Sequence, residues 1–190
     1  MTQTVGTLVI LGASGDLSSR LLLPAIGQLI TRHPERRFRL VGSGAEDWSD
    51  AHWRSVVKAS FRTVKAGGPA VDDLLEHTVY LPADVTKPDD LQKIFDACEG
   101  APALYFALPP AITAKACEAL GAMKLPAGLT LASGASYRIA QGAAAAFEVR
   151  TIVVAPAPTD LPDIASALIV NDCATQLDQV VATASAEAGD

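Results

Sequence analysis

Short apolar runs alternate with longer amphipathic stretches over the first two thirds of the chain, a pattern typical of parallel strands connected by helices. The first run, residues 7–11, is too short for a helix and ends at a glycine, as expected of a buried central strand. Further strands are predicted over residues 36–42, from 78, and over 103–108 and 129–132. Helices are predicted over residues 16–32, 50–65, 71–75, from 89, and over 111–123. The pattern predicts an α/β fold with a Rossmann-like, doubly wound, mostly parallel sheet and helices on both faces.

A glycine turn directly follows the first strand and leads into the first helix. Glycine takes backbone conformations closed to other residues and lets the chain pass close to a ligand, and a helix N-terminus attracts anions. Small Ser18 stands where the commonest dinucleotide fingerprint has its third glycine. We therefore predict a phosphate cradle for a dinucleotide rather than a plain tight turn. Its residues are Gly12, Ala13, Ser14, Gly15, Asp16 and Leu17.

Length and composition narrow the class of protein. A chain of 190 residues suffices for one α/β domain, and 49% hydrophobic with 5% aromatic residues fits helices packed on a parallel sheet. The net charge of -6 and the pI near 5.0 disfavour nucleic acid and an anionic membrane as partners. The sequence has neither a signal peptide pattern nor an apolar run long enough to span a membrane, so we expect a cytoplasmic protein. The sequence is compatible with a monomer and with a homo-oligomer.

Cysteine and histidine give no sign of a metal or disulfide framework. Cys98, Cys117 and Cys173 are far apart and lie in predicted helices, which indicates reduced structural thiols. None of the three histidines has a cysteine or second histidine at ligand spacing. We predict no metal site.

Two well-separated motifs resemble the glucose-6-phosphate 1-dehydrogenase family. Residues 12–17 read G-A-S-G-D-L and are followed by Arg20 and by L-P-A at 23–25, as at the opening of these enzymes. Residues 105–110 read Y-F-A-L-P-P and resemble the family's Y-x-A-L-P-P segment. Over residues 5–131 the resemblance implies a dinucleotide-binding domain with NADP as cofactor. The implied reaction is oxidation of glucose 6-phosphate to the phosphogluconolactone, in the pentose phosphate pathway.

The resemblance also implies cofactor contacts. In the family the strand edge at Y-x-A-L-P-P contacts the nicotinamide half of the cofactor, which here corresponds to Ala107, Leu108 and Pro109. Asp84 and Val85 match an aspartate-valine step near the adenine, although a simple strand-ending turn explains them equally well.

The family's arginine after the second strand, which the resemblance associates with NADP, is replaced here by Ala45. Glu46 and Asp47 follow it, and a carboxylate at this place favours the free 2′-hydroxyl of NAD over the 2′-phosphate of NADP. Glu46 is therefore a candidate ribose ligand, with the solvated start of the next helix as the alternative. NADP is the expected cofactor, and NAD is possible.

Family residues for the sugar phosphate are missing from this sequence. In the family a glutamate-lysine-proline motif follows the strand that corresponds to residues 129–132, but this sequence has Ser133 and Gly134 there. A second alignment places the motif after residue 150. In that alignment Ala155 and Pro156 replace the glutamate and the lysine. The nearest cation to the family's substrate lysine is Arg20, a candidate substrate residue. We assign no catalytic residue.

These departures define the predicted organisation and function. Residues 1–132 form the dinucleotide-binding domain, and 133–190 form a divergent segment with one or two helices and a strand; the family's substrate domain is absent. We expect an NAD(P)-binding domain, truncated or divergent and inactive alone, that meets a sugar phosphate only if a second domain is supplied. The alternative is a non-catalytic interaction or regulatory module with a decayed nucleotide site. A short-chain oxidoreductase is disfavoured because no tyrosine is followed four residues later by lysine.

Overall fold

Six parallel strands lie in one sheet in the order β3-β2-β1-β4-β5-β6. The computed structural model describes residues 5–133 and 150–153. The first strand is central, and the chain builds the sheet outward from it in both directions, which is the doubly wound order of dinucleotide-binding folds. The predicted fold class is confirmed. The strands are β1 (Val5–Leu11), β2 (Arg39–Gly44), β3 (Val79–Pro82), β4 (Ala101–Phe106), β5 (Thr130–Ser133) and β6 (Arg150–Val153).

The helices lie where the amphipathic pattern predicts them, with ends that differ by a few residues. A π-helical turn, Ser18–Leu22, leads directly into the first α-helix. The helix predicted from residue 89 begins one residue earlier, with a proline in its first turn and no side-chain cap. The α-helices are α1 (Leu23–Arg32), α2 (Asp50–Thr63), α3 (Pro69–His77), α4 (Pro88–Asp96) and α5 (Pro110–Gly121).

Alternate side chains of β1 enter two separate cores, one on each face of the sheet. Leu8 and Ile10 belong to the core beneath α1, α2 and α3, whereas Val9 and Leu11 belong to the core beneath α4 and α5. All four are at most 1% exposed. A strand buried on both faces has no polar side to alternate with, which is why this one reads as a continuous apolar run.

Strand β2 begins and ends later than its sequence suggests. The predicted strand spans residues 36–42, but the observed strand starts at Arg39 and continues to Gly44. A Cβ on Gly42 would lie 2.7 Å from the indole of Trp53, so this glycine makes room for a buried ring in mid-strand. A Cβ on Gly44 would lie 2.6 Å from the hydroxyl oxygen of Tyr80. Glycine in a strand interior here marks close packing.

The π-helical turn accommodates a proline inside the first helix. In an α-helix the amide of residue 24 would donate to the carbonyl of Arg20, but Pro24 has no N–H. The turn widens just before it, and the amide of Leu23 donates to the carbonyl of Ser18, five residues back. Pro24 then lies in the first turn of α1, where its missing donor costs least.

The sheet continues beyond the predicted domain boundary at residue 132. Strand β6 pairs in parallel with β5, with Thr130 opposite Arg150. The one strand predicted for residues 133–190 is thus part of the same sheet. The helices predicted for that segment, and Ala155 and Pro156, lie outside the described residues.

A buried hydrogen-bond relay ties α2 to β2. The indole N–H of Trp53 donates to Oγ1 of Thr78 at 2.8 Å, and that hydroxyl donates to the carbonyl of Leu40 at 2.7 Å. Trp53 and Thr78 are both fully buried. Each buried polar group of the relay therefore depends on the threonine hydroxyl.

We expect Thr78→Val to lower the free energy of unfolding by about 1–3 kcal/mol, because it leaves the indole N–H buried without an acceptor. Thr31→Val is the matched control, since the Thr31 hydroxyl is on an exposed residue and bonds only to a carbonyl of its own helix. The control should change stability by no more than about 0.5 kcal/mol. Urea denaturation followed by circular dichroism measures both, and equal stability of the two variants would contradict the proposed role of the relay.

Candidate dinucleotide-binding site

An open groove of about 690 Å³ runs along the carboxyl ends of β1, β2, β3 and β4. The chain leaves β1 and β4 toward opposite faces of the sheet, and this switch point is where open α/β sheets bind ligands. Turns after the four strands and the first turns of α4 and α5 supply the walls. They are Gly12, Ser14, Gly15, Gly44, Ala45, Glu46, Pro82, Ala83, Asp84, Val85, Thr86, Asp90, Ala107, Leu108, Pro109 and Ile112.

The turn after β1 is pressed against the end of β4. Gly12 has a φ of +89°, in the region that favours glycine. A Cβ there would lie 2.4 Å from the carbonyl oxygen of Ala107. Buried Ser18 donates its hydroxyl to the carbonyl of Gly12 at 3.0 Å, which holds the start of the helix against the turn. A small side chain at position 18 was expected for close packing, and this contact explains it.

Part of the turn's backbone is used inside the protein. The amides of Gly12 and Ala13 both donate to the carbonyl of Ser43 in β2, each at 2.8 Å. The amide of Gly15 donates back to the carbonyl of Gly12 at 3.0 Å. These three N–H groups hold the shape of the turn and do not face a ligand.

Three other amides of the turn remain unpaired. No described residue accepts a hydrogen bond from the N–H of Ser14, Asp16 or Leu17. Two of them belong to the first turn of the helix that starts here, where N–H groups have no intrahelical acceptor. Together with the positive end of the helix dipole they can hold an anion.

A polar cluster lies where β2 ends. The hydroxyl of Ser14 donates to Oε2 of Glu46, so a cradle residue and the turn after β2 are directly joined. The Tyr80 side chain is only 4% exposed, and its hydroxyl has no hydrogen-bond partner of good geometry among the described residues. Burial raises the pKa of Tyr80, the nearby Ser14 hydroxyl counteracts this, and the charge of Glu46 adds to the rise.

The loop after β3 is held by two aspartates. Oδ1 of Asp84 accepts from the amide and the hydroxyl of Thr86, at 3.1 and 2.7 Å. Asp90, in α4, accepts from the amide of Asp84 at 2.9 Å and from Lys93 at 2.6 Å. Hydrogen bonds from Thr86 lower the pKa of Asp84, and the bond from Lys93 lowers that of Asp90. The loop is thus shaped by carboxylates that stay ionised at neutral pH.

The opposite end of the groove is apolar and rigid. The amide of Ala107 donates to the carbonyl of Leu11 at 2.9 Å, which extends the β1–β4 pairing past the last strand residue. Pro109 then precedes α5, and its carbonyl accepts from the amides of Ile112 and Thr113, each at 3.0 Å. Proline fixes φ at this junction, so the wall needs little ordering when a ligand binds.

Most of the predicted cofactor residues line one groove although they are far apart in sequence. Ala13, Asp16 and Leu17 do not: Ala13 is buried, Leu17 packs against the core, and the Asp16 side chain is exposed. Arg20 also lies outside the lining and forms an exposed ion pair with Asp16 at 3.1 Å. Their roles, like those of the lining residues, stay predictions.

Sequence reasoning missed several walls of the groove. Gly44 and Ala45 line it next to Glu46, while Thr86 and Asp90 line it beyond β3. One signal could have found them: every carboxyl end of a parallel strand meets the same sheet edge. The bond from the Asp84 amide to Asp90 depends on the placement of α4 and had no sequence signal.

The described part of the chain gives no support for a metal site, a reactive thiolate or a membrane-spanning helix. No group of three or more histidine, cysteine, aspartate or glutamate side chains there is placed to hold a metal ion. Cys98 and Cys117 are free thiols, and burial raises the pKa of each to about 11, so neither is a thiolate at neutral pH. Within residues 5–133 and 150–153, no helix combines the length and apolar character needed to cross a bilayer.

Comparison with known proteins decides the family. The family model "Glucose-6-phosphate dehydrogenase, NAD binding domain" matches residues 9–139. The chain belongs to the glucose-6-phosphate dehydrogenase family. The glucose-6-phosphate 1-dehydrogenase of Bacillus subtilis is 36% identical over 93 residues, which cover 48% of this chain and 19% of that protein. The enzyme of Mycolicibacterium smegmatis is 30% identical over 164 residues, covering 71% and 32%.

Solved structures of glucose-6-phosphate dehydrogenases share the fold. The Mycobacterium avium enzyme superposes with a TM-score of 0.63 at 19% identity, over 78% of this chain and 36% of that one. A glucose-6-phosphate dehydrogenase in complex with glucose 6-phosphate gives a TM-score of 0.58 at 20% identity, over 80% and 37%. This chain therefore spans about a third or less of the length of these two curated relatives, and little more than a third of the length of the two solved chains.

The domain family implies a nicotinamide dinucleotide cofactor, and the groove fits one. Its volume lies within the roughly 300–1,000 Å³ usual for small-molecule sites. The missing Cβ of Gly12 leaves the turn close to the sheet, and the unpaired amides that follow it suit a pyrophosphate.

We expect Gly12→Ala to lower the free energy of unfolding by about 2–4 kcal/mol, because it forces a side chain against the Ala107 carbonyl at a positive φ. Gly67→Ala is the matched control, since a Cβ at Gly67 would meet no atom within 4 Å. The control should be neutral or slightly stabilising. Chemical denaturation compares the two, and similar stabilities would contradict the close approach of β1 and β4.

The loop after β3 should lose its order in acid. Because the pKa of Asp84 and of Asp90 is lowered by folding, their contribution is full above the ordinary aspartate value of 3.8 and is lost as pH falls through the lowered values. An NMR acid titration should therefore leave the Asp84 amide shift unchanged until the pH is below 3.8. Asp90→Asn should perturb that amide already at neutral pH, whereas Asp89→Asn, at an exposed neighbour, should not. An equal effect of the two variants would refute the assigned contact.

Proposed function

We propose that this chain binds a nicotinamide dinucleotide, NADP or NAD, as the cofactor-binding domain of an oxidoreductase that oxidises glucose 6-phosphate to 6-phosphogluconolactone. The observation that carries the proposal is the set of unpaired amides of Ser14, Asp16 and Leu17 at the switch point of the sheet. Membership of the family supports the cofactor class, and the names of the relatives support the reaction.

Each part of the groove has a proposed task. The unpaired amides and the helix dipole hold the pyrophosphate without any cationic side chain. Ala107, Leu108 and Pro109 form a rigid apolar wall for the nicotinamide half, which excludes water from one side of the ring. Glu46, Asp84 and Val85 border the adenosine half. When bound, the nicotinamide supplies the hydride acceptor.

We further propose that the 190-residue chain alone does not turn over the sugar phosphate. Oxidation of a hydroxyl needs a base for its proton, and a sugar phosphate is usually held by arginine or lysine side chains. Among the described residues, no lysine, arginine or histidine lines the groove. His33 and His77 instead contact Glu35 and Asp73 elsewhere on the surface. Arg20, the candidate substrate residue, is paired with Asp16. Sugar-phosphate binding is then a task for other parts of the enzyme.

Isothermal titration of the chain with NAD and with NADP tests the binding proposal. We expect saturable binding of at least one nucleotide, and Gly15→Val should weaken it by about tenfold or more, because it adds a branched side chain beside the cradle. Gly67→Val adds the same side chain where a Cβ would meet nothing within 4 Å, and it should bind as the unaltered chain does. Absence of binding to either nucleotide would refute the proposal and favour a non-catalytic interaction module.

Incubation of the unaltered chain with glucose 6-phosphate and either nucleotide tests the second part. Absorbance of the reduced nicotinamide should stay at the level of a substrate-free control. Rapid turnover would refute the claim of inactivity and leave the cofactor proposal standing.

A further inference from the structure

The charged side chains that line the groove, at its proposed adenosine end, are all acidic among the described residues. Its described lining includes the carboxylates of Glu46, Asp84 and Asp90 and contains no lysine, arginine or histidine. Lys87 balances Asp84 at 3.2 Å, and Lys93 balances Asp90 at 2.6 Å. No cation of the described residues pairs with Glu46. The turn after β2 therefore presents an uncompensated negative charge to the ligand.

Glu46 is held in position by the cradle itself. Oε2 of Glu46 accepts the hydroxyl of Ser14, a residue whose own amide is among the unpaired cradle donors. Among the described residues nothing donates to Oε1, so that oxygen remains available to a ligand donor. The carboxylate thus lies one hydrogen bond away from the residue proposed to hold the pyrophosphate.

Three side-chain oxygens converge above Gly44 at the same place, where only a glycine leaves space for them. The Tyr80 hydroxyl oxygen, the Ser14 hydroxyl oxygen and Oε2 of Glu46 lie 2.6, 2.9 and 3.2 Å from the point where a Cβ on Gly44 would stand. The Tyr80 hydroxyl is buried and has no hydrogen-bond partner of good geometry among the described residues. Ala45 is exposed and offers no donor to an anion.

We propose that Glu46, positioned by Ser14, makes this groove select NAD over NADP. The inference rests on the proposed function. A ribose 2′-hydroxyl can donate to the free carboxylate oxygen, whereas a 2′-phosphate offers only further negative charge to it. Like charges brought together on binding reduce affinity, and a site built to accept from a hydroxyl discriminates strongly against a group that cannot donate. We expect NAD to bind about 10- to 100-fold more tightly than NADP at low salt.

Calorimetric titration of both nucleotides against three variants tests the assignment. Glu46→Gln removes the charge while keeping the shape, and it should reduce the preference for NAD by about tenfold. Ala45→Arg should strengthen NADP binding, because it supplies the guanidinium that a 2′-phosphate requires. Asp47→Asn is the matched control: it removes the same charge from an exposed neighbour outside the groove lining, and it should leave the preference unchanged.

The outcomes separate this inference from the function on which it rests. Equal or tighter binding of NADP by the unaltered chain would overturn the inference and leave dinucleotide binding established. An equal effect of Glu46→Gln and Asp47→Asn would also overturn it, since bulk charge would then explain the preference. Binding of neither nucleotide would overturn both proposals. Circular dichroism of each variant verifies that these exposed substitutions leave the fold intact.

Discussion

The site depends on how closely the turn after β1 approaches its two neighbouring strands. The amides of Gly12 and Ala13 share the carbonyl of Ser43 in β2, while the bare Cα of Gly12 faces the carbonyl of Ala107 beyond β4. One turn is thereby fixed against both halves of the sheet. The amides of Ser14, Asp16 and Leu17, which have no acceptor among the described residues, lie next along the chain, where the helix begins. The geometry of the proposed anion site thus follows from strand packing and not from the choice of side chains.

The proposed anion site is compatible with a groove whose charged side chains are acidic, because its donors belong to the backbone. Backbone N–H groups and a helix dipole supply positive potential that no substitution at the rim removes. The aspartates after β3 are satisfied locally by Thr86, Lys87 and Lys93 and shape the loop. Among the described carboxylates that line the groove, Glu46 is the one without a cationic partner. Charge within the proposed site therefore has two separate sources, the backbone after β1 and the Glu46 side chain after β2.

Sequence reasoning succeeded where local chemistry and tertiary structure demand the same residues. A buried central strand reads as an apolar run, a tight cradle needs glycine, and two prolines fix the end of β4, so these features were predictable. It failed at Gly42, because a glycine required by the ring of Trp53 is indistinguishable in sequence from a turn glycine. The bond between Ser14 and Glu46 joins residues 32 apart and depends on the β1–β2 register, which no local pattern encodes.

The residues proposed to contact the adenosine half follow β2 and β3, whereas those proposed to contact the nicotinamide half follow β4. The proposed cofactor preference therefore does not depend on the nicotinamide wall. The family pattern is kept at β1 and β4, where Gly12 and Ala107 are in close approach and a changed side chain would disturb the sheet. It departs at the turn after β2, where Ala45 and Glu46 are exposed and contribute nothing to either core. Substitution there would alter the charge at the proposed ribose site at little cost in folding stability. A change of nucleotide preference would therefore require no change in the proposed cradle or in the proposed nicotinamide wall, and this departure from the family pattern falls at exposed residues of the groove.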